Sequence, residues 1–354
     1  MIRQNRLLPG APAGWAALAV GAAALALLPF FASAYYVGLV TTAMIAAMLA
    51  LSLHLLVGGA GLVSLGHGAF YGLAAYTVFL LSPEGAPRPI WQTLPASMLV
   101  AGLAALVVGA LSLRTKGFFF LMVTLACGQM IFTIFHDAKF GGGADGAYLA
   151  KPLLSMFGFT LDPQSLPRAQ RLWPVYYVAL IQLVLTYLAL ASLLRSLFGS
   201  VLEGIRVNEQ RMEAMGFNTR RYKLAAFVIA GVLAGAAGHM WSLYSGFVNP
   251  ELVGWRQSAE ALLMILLGGI GALVGAVVGA FAFVALGEVA QMVTSRHLLV
   301  EGLAILAAVV LLRNGLMGVA PSWRRPSRPR EADPPEESAA MADTQTDGRG
   351  SAAR

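Results

Sequence analysis

The sequence predicts an all-α fold, a polytopic integral membrane helical bundle with eight to ten transmembrane helices and glycine-rich broken or re-entrant segments. Three observations predict it. Of 354 residues, 58% are hydrophobic and only 12% are charged, and the mean hydropathy is +0.72. A soluble domain could not keep that much apolar surface from water. Apolar runs of about 18 or more residues with few charges recur along the chain, as spanning helices require. The basic residues sort onto alternate loops, as they do around spans.

The runs fall near 15–32, 37–57, 62–81, 94–113, 117–135, 173–194 and 223–246, followed by a glycine-interrupted stretch over 258–290 and a last segment over 297–312. Because other runs follow the first, it is expected to be a span and not a cleaved signal peptide. One set of loops carries Arg3, Arg6, Arg114, Lys116, Arg195, Arg206, Arg211, Arg220, Arg221, Lys223 and Arg313. The other carries Arg88, Lys139, Lys151, Arg168, Arg171 and Arg256, with acidic residues interleaved. Basic excess marks the cytoplasmic face, so both termini and the 195–223 loop are expected inside, and the 136–171 loop outside. The stretch over 258–290, with the last segment, makes either one net crossing or three, which leaves eight and ten spans both open. The expected organisation is a cytoplasmic N-terminus over 1–14, a transmembrane domain over 15–318 with a cytoplasmic loop over about 196–222, and a disordered tail over 319–354. The tail holds Arg324, Arg325, Arg328 and Arg330, then an acidic run rich in Pro, Ser and Ala. It has too few large apolar residues to fold.

Several functions are excluded or disfavoured. The isoelectric point near 9.8 reflects loops that flank spans, so no nucleic-acid partner is implied. Cys127 is the only cysteine, which rules out an internal disulfide or a cysteine metal cluster. No cofactor is expected. The sequence contains no GxxxxGK[ST], HExxH or GxSxG pattern, so it carries neither a nucleotide-binding loop nor a common hydrolase constellation. An enzyme is therefore not expected.

The loop over 203–223 reads EGIRVNEQRMEAMGFNTRRYK. It is polar and helix-prone, and far longer than a turn between two spans needs to be. It is either a solvated loop that sets topology or a docking surface for a soluble partner. Its candidate residues are Glu203, Arg206, Glu209, Glu213, Ala214 and Gly216, the last as a helix stop.

Small residues pattern the spans: Gly231 with Gly235; Gly271, Gly275 and Gly279; Gly68 with Gly72. Bundle packing is the ordinary reading of such pairs. Gly268, Gly269 and Gly271 should instead break a helix, which at membrane depth requires burial or a cavity. The polar residues within spans are His54, Ser64, His67, Gln129, His239, Glu260, Glu288 and Glu301. Ser64 and His67 stand out because Gly58, Gly59, Gly61, Gly66 and Gly68 surround them, so an unwound span entry near a pathway is expected there. A packing histidine is as good a reading of His67.

Four ordered blocks resemble the permease subunits of branched-chain amino-acid ABC importers, of the LivM type. They are GLVSLGHGAF over 61–70 with Ala75, Tyr76 and Thr77; RTKGFFFLMVTLACGQM over 114–130 followed by Gly142-Gly143-Ala144-Asp145-Gly146; Ile205 to Lys223; and Asn249-Pro250-Glu251 with Ser258-Ala259-Glu260 leading into MILLGGIGALVG. The order holds over about 55–318. Gly275-Ala276 stands where the family often has Gly-Pro, and the tail is idiosyncratic. The resemblance implies a permease without its own ATPase. Its partners would be two cytoplasmic ATP-binding subunits, a second homologous permease, a periplasmic or lipid-anchored substrate-binding protein, and membrane lipid. Glu209, Glu213, Ala214 and Gly216 resemble the coupling loop of importer permeases, with looser spacing. The implied substrates are branched-chain or related aliphatic amino acids. The alternatives are urea, short amides or another small solute on the same architecture, or an ATP-independent channel or secondary carrier.

Overall fold

A computed structural model describes residues 12–82, 89–137, 140–149, 154–156, 159–161, 167, 170–293, 296, 299–300, 302–303, 306–307 and 315–318. Most of the last predicted segment, Glu301, and the tail with its arginines lie outside the described residues.

The helices are α1 (Pro12–Phe31), α2 (Ala34–His54), α3 (His67–Leu81), α4 (Ile90–Ser112), α5 (Phe118–Asp137), α6 (Trp173–Arg195), α7 (Leu197–Val207), α8 (Glu209–Ala214), α9 (Thr219–Ser245), α10 (Trp255–Gly268) and α11 (Leu273–Val293). A π-helical turn, Leu55–Ala60, extends α2. Two short antiparallel ribbons accompany them: β1 (Ala147–Tyr148) with β4 (Phe247–Val248), and β2 (Leu154–Met156) with β3 (Phe159–Leu161). Among the described residues, six helices are long and apolar enough to cross a membrane: α2 with its π-turn, α4, α5, α6, α9 and α11. The chain is a multi-pass helical membrane protein.

Two findings bear on the span boundaries read from the sequence. The run over 62–81 is not one helix. Residues 61–66 are irregular, and helix begins only at His67. The stretch over 258–290 is two helices, α10 and α11, packed against each other across a turn at 269–272. The glycine pairs pack as close helix contacts demand. A Cβ on Gly231 or Gly235 would strike Ala105 or Ala101 of α4, and one on Gly72 would reach Val253. Gly275 and Gly279 face Gly268 and Met264 of α10, main chain against main chain. Gly271 does not join that seam, because it sits in the turn with open space around it.

An arrangement recurs in the chain. α2 with its π-turn has 27 residues, and so does α9. Each is followed by an irregular step and a short helix: 61–66 and α3 in the first case, 246–254 and α10 in the second. A long apolar helix follows each short one, α4 and then α11. The packing is reciprocal, with α4 and α3 against α9, and α11 and α10 against α2. α2 is the most enclosed span, 83% buried, while α5 is only 22% buried and lies at the periphery.

One end of the bundle gathers the π-turn, the 113–117 turn, α7, α8 and the start of α9. It carries Arg114, Lys116, Arg195, Arg206, Arg211, Arg220, Arg221 and Lys223 from the larger basic set. Arg195 lies 4.5 Å over the Trp15 ring, which brings the start of α1 to this end. The opposite end carries the β1–β4 ribbon and the Tyr76–Phe135 ring contact, with centroids 4.4 Å apart.

Candidate functional site

The polar loop is built from two helices, not one. Asn208 is extended (φ −159°, ψ 101°) and ends α7. Its side-chain oxygen accepts from the Arg211 amide at 3.0 Å and so starts α8. Asn218 caps α9 the same way through the Arg221 amide at 3.2 Å. These Asn caps satisfy amides that a new helix would otherwise leave unpaired. The helix-prone stretch over 203–223 is therefore divided among the end of α7, α8 and the start of α9.

Gly216 closes α8. Its amide donates to the Glu213 carbonyl at 2.9 Å and the Phe217 amide donates to the Met212 carbonyl at 3.1 Å, the paired bonds of a Schellman motif. Gly216 has φ +87°, which side chains rarely tolerate. No heavy atom stands within 4 Å of a Cβ placed there, so backbone conformation alone demands glycine.

Two of the loop's acidic residues are engaged within the loop itself: Glu209 is half-buried, and Glu213 is exposed yet hydrogen-bonded. Glu209 accepts from Lys223 Nζ at 2.6 Å, with the lysine side chain only 12% exposed. The Thr219 hydroxyl lies 3.2 Å from Glu209 Oε1 and donates to Glu213 at 2.8 Å. Partial burial pushes the Glu209 carboxyl up. The hydrogen bond and charge of Lys223, the charge of Lys116 and the Thr219 hydroxyl outweigh that, and it stays below the ordinary carboxylate value. Glu209 and Glu213 thus pin α8 to the start of α9. Arg206 also turns inward, onto the Gly58 carbonyl at 2.6 Å. Glu203 is half-buried on α7, and Ala214 is exposed at the end of α8. The outward face instead presents Met215 (64% exposed) and Val207 (74%). Sequence reasoning singled out neither. Between the loop and the bundle lies a cleft of about 460 Å³, lined among others by Lys116, Arg206, Glu209, Arg220 and Lys223.

The glycine-rich segments lie deeper. Ser64 and His67 are fully buried. The irregular backbone between them leans on α5: the Leu65 amide donates to Thr124 Oγ1 at 3.3 Å, and a Cβ on Gly66 would strike the Thr124 carbonyl. The Ser64 hydroxyl is placed to accept from the Gly66 amide at 3.4 Å. His67 Nε2 meets Ser52 Oγ at 2.9 Å on α2. This is the satisfaction by neighbours that unwound backbone at membrane depth needs. At the start of α3, the Gly68 amide donates to Ser258 Oγ on α10 at 2.6 Å, so the first turns of the two short helices meet. α10 ends at Gly268, and Gly269 takes φ +107°. His54 Nε2 donates to the Ile270 carbonyl at 3.2 Å, which ties that turn to the end of α2.

Further polar groups in the spans are partnered, the buried His239 and Gln182 inside the bundle and the partly exposed Glu260 and Glu288 at its surface. His239 meets Thr93 at 3.0 Å, Gln182 donates to the Ala236 carbonyl at 2.7 Å, Glu260 pairs with Arg256 at 2.8 Å and Glu288 bonds Tyr35. Gln129 is only half-buried. Among the described residues no group of three or more His, Cys, Asp or Glu could hold a metal.

Comparison with known proteins adds identity to this geometry. Residues 35–312 match a family model described as branched-chain amino acid transport system / permease component. The chain is 30% identical over 309 residues to the high-affinity branched-chain amino acid transport system permease protein LivM of Escherichia coli strain K12, covering 82% of this chain and 71% of that protein. The LivM protein of Salmonella typhimurium gives the same identity and coverage. A shorter match, 31% over 110 residues, joins the chain to the LivH permease protein of Salmonella typhimurium, covering 29% of this chain and 34% of that one. These relatives are named as transport permeases, not enzymes. No solved structure matches.

Proposed function

The chain belongs to the family of branched-chain amino acid transport system permease components, and from that premise we propose that it is one permease half of an ABC importer for branched-chain or related aliphatic amino acids. Two cytoplasmic ATP-binding subunits would supply the energy, and a LivH-like second permease would complete the membrane unit. A periplasmic or lipid-anchored binding protein would deliver the substrate across a bacterial inner membrane. Both termini and the α7–α8 loop would lie inside.

The observation that carries this reading is the α7–α8 loop. It is polar, doubly capped, locked by a Schellman turn and pinned to α9 through Glu209 and Lys223. A loop that only reverses direction needs none of this rigidity. Exposed Met215 and Val207 on a polar element outside the bundle's apolar body have the character of anchors for a soluble partner. The substrate route would pass where α3 and α10 begin, with Ser64 and His67 on one side and Ser258 on the other. Gly268, Gly269 and Gly271 would form the turn that lets α10 shift against α2.

The test is reconstitution of the chain with its two ATP-binding subunits, the second permease and the binding protein in proteoliposomes. ATP-dependent uptake of labelled leucine, isoleucine or valine is the expected result. Uptake of urea or a short amide instead would redirect the substrate assignment. Uptake that persists without ATP or without the ATP-binding subunits would make the protein a channel or secondary carrier.

A further inference from the structure

Neither capping nor glycine packing accounts for where Arg206 points. It sits at the end of α7, next to the Asn208 joint, yet its guanidinium reaches back into the bundle. Nη1 donates to the Gly58 carbonyl at 2.6 Å, joining residues 148 apart in sequence. Gly58 lies in the π-turn, immediately before the irregular segment that leads to His67. The arginine stem runs beside that segment too, since a Cβ on Gly61 would lie 3.2 Å from Arg206 Cγ. On the other side of the same turn, a Cβ on Gly58 would sit 2.6 Å from the His54 ring, and that ring holds the Ile270 carbonyl. α7, the π-turn, the end of α2 and the α10–α11 turn are thus linked in one line of contacts.

We propose that Arg206 is a strut, a positioning residue that carries movement of the α7–α8 loop to both helix interruptions. The proposal rests on the reading that ATP-binding subunits dock on that loop. Each link suits the task. A guanidinium donating to a carbonyl is a charge-assisted bond, shorter and more directional than a neutral one. The loop at one end is rigid because its caps fix it. The π-turn at the other end is buried and packed on every side, so a pull on it is passed to the side chains that touch it. The same element bears on both short helices. The irregular segment feeds α3 directly, and His54 relays the displacement to the turn below α10. In this scheme the docking face (Met215, Val207) and the strut (Arg206) are separate parts of one loop.

The experiment uses the whole reconstituted complex and three readouts: co-purification of the ATP-binding subunits, ATP hydrolysis and solute uptake. Arg206→Met keeps the length of the stem and removes the donor. It should leave co-purification intact and hydrolysis within about two-fold, while uptake falls about ten-fold or more, the scale of one lost hydrogen bond to a charged group. Arg206→Lys restores a charged donor and should recover part of the uptake, which a merely structural defect would not allow. Uptake within about two-fold of the unaltered complex in Arg206→Met would overturn the strut. Loss of the ATP-binding subunits from Arg206→Met would overturn it as well, by placing Arg206 in the docking face. If Arg206→Met does not insert, Arg206→Gln, which is neutral and too short to span to the Gly58 carbonyl, decides instead: uptake per ATP within about two-fold of the unaltered complex would overturn the proposal. An unaltered complex without ATP-dependent uptake would sink the importer reading itself, and that outcome is distinct from the others.

Discussion

The amide of Gly68 and the side-chain oxygen of Ser258 meet at 2.6 Å, although 190 residues separate them in sequence. Each belongs to the first turn of a short helix, and each short helix follows an irregular step. The bond fills one vacant amide at the start of α3 with a hydroxyl from α10, so the second half of the chain caps a helix of the first. Removing the acceptor with Ser258→Ala leaves a buried amide unpaired and should cost about 1–3 kcal/mol. Gly68→Ala should be worse, because its Cβ would stand 2.6 Å from the Gly254 carbonyl oxygen and 2.9 Å from Gln257 Cβ. Thermal unfolding in detergent would rank the two variants, and the reverse order would mean that these helix starts do not touch.

Gly216 offers a separation of strain from contact. Open space surrounds it, so Gly216→Val pays only for its left-handed backbone, roughly 1–3 kcal/mol. Asparagine tolerates that conformation better. Gly216→Val is expected to weaken association with the ATP-binding subunits while insertion stays normal, and Gly216→Asn to retain most of it. Equal losses in a pull-down would show that the partner touches residue 216 directly.

The Glu209–Lys223 pair predicts rescue by charge exchange. Glu209→Lys and Lys223→Glu should each loosen α8 from α9, with loss of roughly 1.5–3 kcal/mol of local stability, and the double exchange should restore most of it. Hydrogen exchange of the α8 amides reads this out. The pH dependence has a definite sign. Glu209 is held below its ordinary value, so its contribution is fully present above the ordinary carboxylate range near pH 4.3 and is lost only as pH falls through the lower folded value. Protection that already disappears between about pH 7 and 5 would contradict the pairing.

Orientation can be read with two cysteines after Cys127 is replaced by serine. Met215→Cys, at a 64% exposed position on the loop, should react with an impermeant reagent only from the cytoplasmic side. Tyr148→Cys, at an 81% exposed position by the opposite ribbon, should react only from outside. Labelling of both from one side would invalidate the proposed topology.

The α10–α11 turn gives a graded series. Gly268→Ala would drive a Cβ into the Gly275 carbonyl, and Gly269→Leu would force a branched side chain onto φ +107°. Gly271→Ala meets nothing. The first two are expected to abolish uptake and lower the yield of assembled complex, and the third to be far milder. A defect in Gly271→Ala as severe as in Gly268→Ala would move the turn's role from packing to direct contact with solute.

Part of this was legible in the sequence because it rests on local chemistry. The glycines over 58–68 marked the interruption before α3, the apolar runs marked the long spans, and the spacing of Gly231 and Gly235 marked a close helix contact. The end of α8 at Gly216 follows from a glycine after a helix-forming run. Other features depend on partners distant in sequence, and no local pattern encodes them. Arg206 looked like one more loop cation, and its partner Gly58 contributes only a backbone carbonyl. Glu209 looked like a free acidic docking residue, and its burial depends on Lys223 folding back. Asn208 could have been read as a cap that splits the loop helix, since Asn followed by Glu is a helix-start signal. Gly268, Gly269 and Gly271 pointed to an interruption within 258–290, but the packing of α10 on α11 rests on main-chain contacts that no local pattern encodes.

The seam between α10 and α11 is made of main chain, Gly268 on Gly275 and Gly279 on Met264. Side chains absorb displacement by changing rotamer, and backbone pressed on backbone has no such compliance. A push at the turn is therefore not dissipated where it is applied. It travels along α10 as along a stiff arm. Ten residues separate Gly268 from Ser258, an arm of about 15 Å at about 1.5 Å per residue. A tilt of about five degrees at one end becomes a swing of about 1.3 Å at the other. Added to the present 2.6 Å, that swing is enough to carry the Gly68–Ser258 bond beyond hydrogen-bonding reach.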